Sequence, residues 1–547
     1  MDSSAVNHFD VLSFAFGRVV NYEDRPLYIN AKDPSRSLCA IQLRRLVRTL
    51  IAGLKRHIQQ GDCVLVHLGN SYVHPALFFG IIGAGGVYLG ASPDSPPYEL
   101  INVFNLGNPK LIITSSQTLQ TVLGVSTSKG LCPEQVCLFE ELAITRFLGS
   151  SPSIPVGGAG HITMAHFLSH GEEDWIRLDE ESLAKTTPAA MYCTSGTSGL
   201  PKAAVLSHHA IISQHRNIHY EFPFDVKRLV VIPMYHRFGA LWHTFPIRHG
   251  EPAYIMHKFE VGQFLKAVQA YQITETHIVP ATVHLLNQTS QPVTDFLSSL
   301  RMVGVGGAPI DAASLQKFQS LLHSQATAAQ TWGMTETGPV FVGKYGERSD
   351  KASIGKTIGN NEAKLLDDQG MIINSDGCSG ELCVRGTGLL LHYKGRDDGI
   401  DREGWFRTGD VAYRQDGYYY LLGRTKEIIK VQGYQVAPAE IEAVLLTHPG
   451  INDAAVLGVQ SSDKGVEVPR AFVVKSASGT HLAADDVYQF AQSRLAGYKA
   501  LDGGVVFVTE IPRTVSGKIL RTKLAQMNAQ RDKVAQILSR RVIKVTS

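Results

Sequence analysis

Tyr192-Cys-Thr-Ser-Gly-Thr-Ser-Gly-Leu-Pro-Lys202 is the densest chemical signal in the chain. An apolar strand over 189–193 runs into nine residues of small hydroxyl side chains, glycines and one lysine. Glycines let backbone N–H groups approach an anion, hydroxyls add donors and the lysine adds charge, which together suit a polyphosphate. Composition alone also fits a surface loop of small polar residues. The stretch is not a Walker A loop, because Pro201 separates Leu200 from Lys202 where that motif needs Gly-Lys-Ser/Thr at the start of a helix.

Outward from this strand the sequence alternates helix and strand. Leu43, Leu46, Leu50 and Leu54 recur at helical spacing over 41–60, followed by a short buried strand, Cys63–His67. The pattern returns at 87–89, 111–114, 229–232, 253–256, 277–279 and 302–305, as in a mostly parallel sheet covered by helices. From about 360 short strands with turn signals take over, including an Asp416-Gly417 hairpin before 418–422, and predict a β-rich subdomain. After Arg424 a compact α+β unit begins, with a helix opening at Pro438 and stopped by Pro449-Gly450, strands over 454–459, 470–474 and 505–509, and a helix from about Asp485. The expected fold is α/β: a large N-terminal domain, 1–424, of parallel α/β sheets plus a β-rich subdomain, and a small α+β C-terminal domain, 425–547.

The composition of the 547 residues excludes several classes. With 44% apolar and 18% charged residues this is neither a disordered nor a membrane-embedded chain, and a net charge of +3 is too even for nucleic acid as the main partner. Seven cysteines, an odd number, form no disulfide framework and lack zinc-ligand spacing, so a reducing compartment is expected. The most apolar run, 76–91, is 16 residues with five glycines, too short for a transmembrane helix, and reads as a buried helix turning into a strand. The N-terminal stretch carries no secretory pattern and Val545-Thr546-Ser547 is not a Ser-Lys-Leu peroxisomal signal, which leaves a cytoplasmic location as the expectation.

Three further stretches carry chemistry. Gln330-Thr-Trp-Gly-Met-Thr-Glu-Thr-Gly338 offers an aromatic platform, Trp332, for a base and a hard oxygen ligand, Glu336, for Mg2+; alone it could be a loop around a buried Trp. Gly404-Trp-Phe-Arg-Thr-Gly-Asp410, followed by Gly423-Arg-Thr-Lys-Glu-Ile-Ile-Lys430, places an acceptor-only carboxylate where it could take both hydroxyls of a ribose, or simply form a turn. Pro512-Arg-Thr-Val-Ser-Gly-Lys518 puts a lysine on a glycine-containing loop before the last helix.

In order and spacing these four stretches resemble the adenylate-forming superfamily of acyl-CoA synthetases, luciferases and nonribosomal adenylation domains, above all its 4-coumarate:CoA ligase-like and medium-chain acyl-CoA ligase members. The resemblance implies an ATP-dependent acid:CoA ligase: a carboxylate attacks the α-phosphate of ATP to give an acyl-adenylate and pyrophosphate, and coenzyme A then displaces AMP. It implies a triphosphate loop of Thr194, Ser195, Gly196, Thr197, Ser198, Gly199 and Lys202, and Glu336 as Mg2+ ligand. Thr335 would lie at the α-phosphate, with Gly307, Ala308, Thr331, Trp332, Gly333 and Met334 around the adenine and Asp410 and Arg424 on the ribose. Lys518 matches the mobile lysine of adenylation. The link at Arg424 to Lys426 matches a hinge about which the small domain swings to present Lys430, Gly433 and Gln435 for thioester formation, with Lys258 also toward CoA.

His236, in Pro233-Met-Tyr-His-Arg-Phe-Gly239, matches the ring that borders and gates the carboxylate site, and Phe238, Gly239, Trp242 and Gly306 match the acid pocket. Two departures stand out. Plant 4-coumarate ligases carry a lysine at the position of Gln432 and a small residue at that of Trp242. The acid is therefore expected to be a small aromatic or a medium-chain aliphatic one. Transfer to a carrier-protein phosphopantetheine thiol in secondary metabolism is the alternative to CoA. A non-enzymatic relative would be expected to lose Lys202, Lys430 and Lys518, all of which are present.

Overall fold

A computed structural model of the chain describes residues 9–17, 23–149, 161–194, 202–289, 292–349, 351–396, 399–431, 434–461, 467–514 and 518–531. Two large sheets organise the first 360 residues. In the eight-stranded one, Pro188–Thr194, Val87–Ala91, Cys63–His67, Leu111–Thr114, Val136–Leu138 and Ile162–Thr163 each have parallel neighbours, and Lys202–Ser207 and His392–Tyr393 close one edge antiparallel. In the nine-stranded one, Thr327–Met334, Met302–Gly306, Glu275–Ile278, Arg228–Val230, Ala253–Ile255 and Tyr28–Asn30 run parallel.

Helices cover both sheets, so the central strands are buried on both faces; Cys63–His67 and Val87–Ala91 have no exposed residue. Helix Ala40–Leu54 buries Leu43, Leu46, Val47, Leu50 and Leu54, the stripe its sequence spacing announces. Helix His74–Gly83 is buried all round, which accounts for the apolar run at 76–91. No helix among the described residues is long and apolar enough to cross a membrane.

The β-rich region forms as expected: a five-stranded antiparallel sheet centred on Glu362–Leu366, Ser379–Arg385 and Phe406–Gln415. Its last hairpin joins Phe406–Gln415 to Tyr418–Arg424 through Asp416-Gly417, both at positive φ, 52° and 77°, as the tight turn requires. Beyond it, helices Pro438–Leu446 and Ala484–Gln492 pack on a three-stranded sheet of Ile451–Gln460, Glu467–Lys475 and Val505–Phe507. That unit has its own cores, around Ile441, Leu445 and Val473 and around Phe472 and Leu524, separate from those of the large sheets. A cleft of about 2330 Å3 opens between the ends of the two large sheets, the β-rich sheet and the C-terminal unit.

Candidate active site

The sheet edges deliver the polar groups of the cleft. Thr194 ends its strand and pairs with Lys202, which starts the antiparallel neighbour. Ser195, Gly196, Thr197, Ser198 and Gly199 lie outside the described residues. The ammonium of Lys202 sits 4.3 Å from the ring centroid of Tyr393, and the Tyr393 hydroxyl donates to Oε1 of Glu336 at 2.8 Å. Glu336 is 5% exposed and follows Thr335 in the turn between Thr327–Met334 and Gly338–Val342. Three segments about 60 to 190 residues apart thus form one contact chain of cation, ring and carboxylate.

Asp410 stands opposite Arg424 in the hairpin register, and Nε of Arg424 meets its Oδ1 at 2.7 Å. The Trp332 indole N–H donates to Oδ2 at 2.9 Å, and the Asp410 backbone N–H donates to the Thr408 hydroxyl at 3.0 Å. Trp332 therefore departs from the open platform expected of it: it is 6% exposed, stands edge-on to Phe341 at 5.5 Å, and orients Asp410 from the core. Burial raises the Asp410 carboxyl above its ordinary range, against the pull of Arg424, Trp332 and Lys518.

Lys518 belongs to the C-terminal unit yet faces the same cleft. Its backbone N–H donates to the Thr514 hydroxyl at 3.1 Å and its carbonyl accepts from Thr514 N–H at 2.8 Å, closing the loop that carries it. Burial lowers its pKa, Arg424 adds to that, and Glu427, Asp410 and Glu336 act in the opposite direction. Cations and carboxylates from four segments thus converge where an anionic phosphate chain could be held and its charge balanced.

On the other side of the cleft, His236 caps a short helix, Arg237–Ala240, accepting from Phe238 N–H at 3.4 Å. Burial and the neighbouring Arg237 hold its ring down to about 4, so it is neutral at physiological pH. Gly239 has no room for a side chain, since a Cβ there would lie 2.1 Å from the Pro233 carbonyl oxygen, and a Cβ on Gly306 would lie 3.0 Å from the Phe238 ring. Behind Phe238 lies a smaller cavity of about 40 Å3, walled by Trp242, Phe245, His277 and Arg228. Phe238, Leu241, Thr331 and Pro339 line both spaces and form the partition between them.

Gly307, Gly333 and Met334 line the cleft, whereas Ala308, half-buried, is not among its lining residues. Lys426 lines it and is exposed. Lys258 does too, with its ammonium 3.4 Å from Asp94. Lys430 is exposed on strand Ile429–Val431, outside the cleft lining, and its backbone N–H donates to Glu467 at 2.9 Å. Gln432, Gly433 and the side chain of Gln435 lie outside what is described. Sequence reasoning missed Tyr393, His277 and the Arg228–Glu275 pair, because each sits in an ordinary strand and gains its place only from a distant neighbour. The one available signal was charge: Arg228 opens the otherwise apolar strand Arg228–Val230.

A family model described as AMP-binding enzyme matches residues 16–394, and one described as AMP-binding enzyme C-terminal domain matches 440–518. Nicotinic acid-CoA ligase olcI of Penicillium canescens is 49% identical, over 97% of this chain and 100% of its own. Nicotinic acid-CoA ligase pyr1 of Aspergillus fumigatus is 45% identical over 97% and 98%, and acyl-CoA ligase ppsA of Aspergillus oryzae 44% over 97% and 99%. In fold, the chain is similar to the anthranilate CoA ligase AuaEII in complex with anthranoyl-AMP, with a TM-score of 0.80 and 20% identity over 95% of this chain and 97% of that one. ATP-bound MatB from Rhodopseudomonas palustris gives a TM-score of 0.81 and 22% identity over 95% and 99%.

Proposed function

The chain belongs to the AMP-binding enzyme family, and from that premise we propose that it is an ATP-dependent ligase joining a small aromatic carboxylic acid, nicotinic acid first among them, to coenzyme A. The observation that carries this reading is the shared cleft: Lys518, Glu336 and Arg424, with Asp410 buried behind Arg424, stand on one side of Phe238, and a small cavity walled by rings lies on the other. The ring lies against Phe238 with its far edge toward the small cavity, and its carboxylate lies on the cleft side beside His236. A carboxylate oxygen bonds to the α-phosphorus of ATP while the bond to pyrophosphate breaks. The coenzyme A sulfur then bonds to the acyl carbon and AMP leaves.

Lys518 bridges the two anions of the first step, Asp410 holds the ribose hydroxyls through the lone pairs that Arg424 and Trp332 leave open, and Thr194 and Lys202 flank the polyphosphate. Neutral His236 positions the acid and does not move a proton. Glu336 would hold Mg2+: Tyr393 occupies one oxygen and leaves the other, and a single carboxylate suits an ion that keeps most of its shell for water and phosphate. That ion would neutralise phosphate charge. For the second step residues 425–547 rotate as a lid about the link at 424–426, replacing Lys518 by the face that carries Lys430. The separate cores of the C-terminal unit support such a division. All seven cysteines are unpaired, which suits a reducing compartment such as the cytosol.

The test is pyrophosphate release from ATP and Mg2+ over a panel of aromatic and aliphatic acids, with and without CoA, with products identified by mass. Nicotinate should give pyrophosphate and, only with CoA, AMP and a thioester. Pyrophosphate without a thioester would remove CoA as the acceptor and turn the search to a carrier-protein thiol.

A further inference from the structure

Behind Phe238 the cavity is small and its polar wall is incomplete. About 40 Å3 is room for about three water molecules, so only the tip of an acid's side chain enters it and the rest stays in the cleft. An alkyl chain of medium length would overrun it. Two rings pack against His277 in this wall: Trp242 lies tilted 4.9 Å from it, and Phe238 stands edge-on to it at 5.9 Å. Gly304 leaves room for the His277 ring, because a Cβ there would come within 2.3 Å of it.

The charges at the far end are paired with one another. Arg228, buried under the rings of Trp242 and Phe245, is paired with Glu275 at 2.7 Å and with Glu251. His277 stands outside this pairing: its Nδ1 is 4.0 Å from Glu275, beyond hydrogen-bond reach, and is buried with no partner. The Thr331 hydroxyl on the partition is buried and unpartnered as well. Burial and Arg228 hold the His277 ring down to about 3, so it is a neutral imidazole with one N–H. No protein hydrogen bond at Nδ1 fixes which nitrogen carries that proton.

A buried polar atom without a partner is costly, and a ligand that answers it recovers the loss. An all-carbon ring would leave His277 unanswered; a ring nitrogen would accept its N–H. We infer that His277 is the specificity residue of this pocket, donating to a ring nitrogen of the acid, so that the enzyme selects a heteroaromatic acid over the carbocycle of the same shape. The inference rests on the aromatic-acid ligase reading and goes beyond it by assigning the discriminating contact.

The experiment compares kcat/KM, by pyrophosphate release, for pyridine-3-carboxylate, pyridine-4-carboxylate and benzoate, in the wild type, His277→Phe and His277→Gln. Sites built to hydrogen-bond a substrate reject the analogue lacking the group by large factors, so the wild type should prefer pyridine-3-carboxylate to benzoate by about 100-fold or more. His277→Phe should collapse that ratio to within about threefold, with benzoate losing far less than the pyridine acid, and His277→Gln, which keeps a donor, should restore at least about tenfold preference. Equal turnover of all three acids by the wild type would overturn the assignment and leave the ligase reading standing. Equal loss of both acids in His277→Phe would likewise reduce His277 to a packing residue. Should the variants fail to fold, the wild-type ranking still decides, because moving the nitrogen to the 4-position should cost at least about tenfold. Release with aliphatic acids only would bring down the acid class and this inference together.

Discussion

The two ends of the site treat buried polarity in opposite ways. At the nucleotide end Asp410 is met on both oxygens by Arg424 and Trp332, and Glu336 is met by Tyr393. At the acid end the strong charges Arg228 and Glu275 answer each other, and His277 Nδ1 and the Thr331 hydroxyl answer nothing. A site that performs the same phosphate chemistry on every turnover gains from groups fixed in advance, since they need not reorganise as charge develops. A site that must choose among acids gains from an unsatisfied group, since only the right ligand satisfies it. On the proposed function, preorganisation and discrimination are divided across the Phe238 partition.

The harshest way to break this comparison is to remove Lys518, the one nucleotide-end group supplied by the C-terminal unit. Lys518→Ala should slow adenylation, read as acid-dependent pyrophosphate exchange, by about 10^3-fold or more, while sparing thioester formation from a preformed acyl-adenylate. Lys430→Ala should do the reverse. If either change damages both half-reactions equally, the two lysines do not serve separate conformations.

Legibility in the sequence followed the same division. The proposed nucleotide end is built from four contiguous stretches, and on that reading each keeps its residue types together because a loop must present several donors to one phosphate chain. The alternation of strand and helix, the Asp416-Gly417 hairpin and the C-terminal α+β unit were readable for a similar reason: turns and amphipathic periods are local. The proposed acid end is assembled from strand residues 228, 275, 277 and 331, whose neighbours come from sheet register alone. His277 in strand Glu275–Ile278 has no distinguishing sequence context, and its meaning depends on Gly304 one strand away. Trp332 was misjudged on the same ground. Its type was visible, but the side of the sheet on which its ring lies was not.

A milder perturbation asks how much the fixed partners contribute. Asp410→Ala should raise KM for ATP by about 30-fold, since a hydrogen bond to a charged group is lost together with the order it imposes on Arg424. Trp332→Phe keeps the buried ring and removes only the N–H, so KM for ATP should rise by about fivefold with KM for the acid unchanged. A Trp332→Phe enzyme whose acid KM moves as much as its ATP KM would mean that the two ends are not energetically separate.

The subtlest contrast is in pH. Lys518 acts as a cation, and its pKa is lowered by burial and by Arg424, so it is charged at pH values below that lowered pKa and loses its charge as pH rises through it. Adenylation should therefore fall on the alkaline side, earlier than a solvent-exposed lysine would dictate, and the residual activity of Lys518→Arg should show no such limb because a guanidinium keeps its proton. His236 and His277 behave differently: held to about 4 and about 3, both stay neutral from pH 8 down to about 5.5. Across that window the ratio of kcat/KM for pyridine-3-carboxylate to that for benzoate should drift by less than about twofold. A selectivity ratio that titrates near the ordinary histidine pKa would place a solvated, protonating imidazole at the acid end and erase the contrast between the two halves of the site.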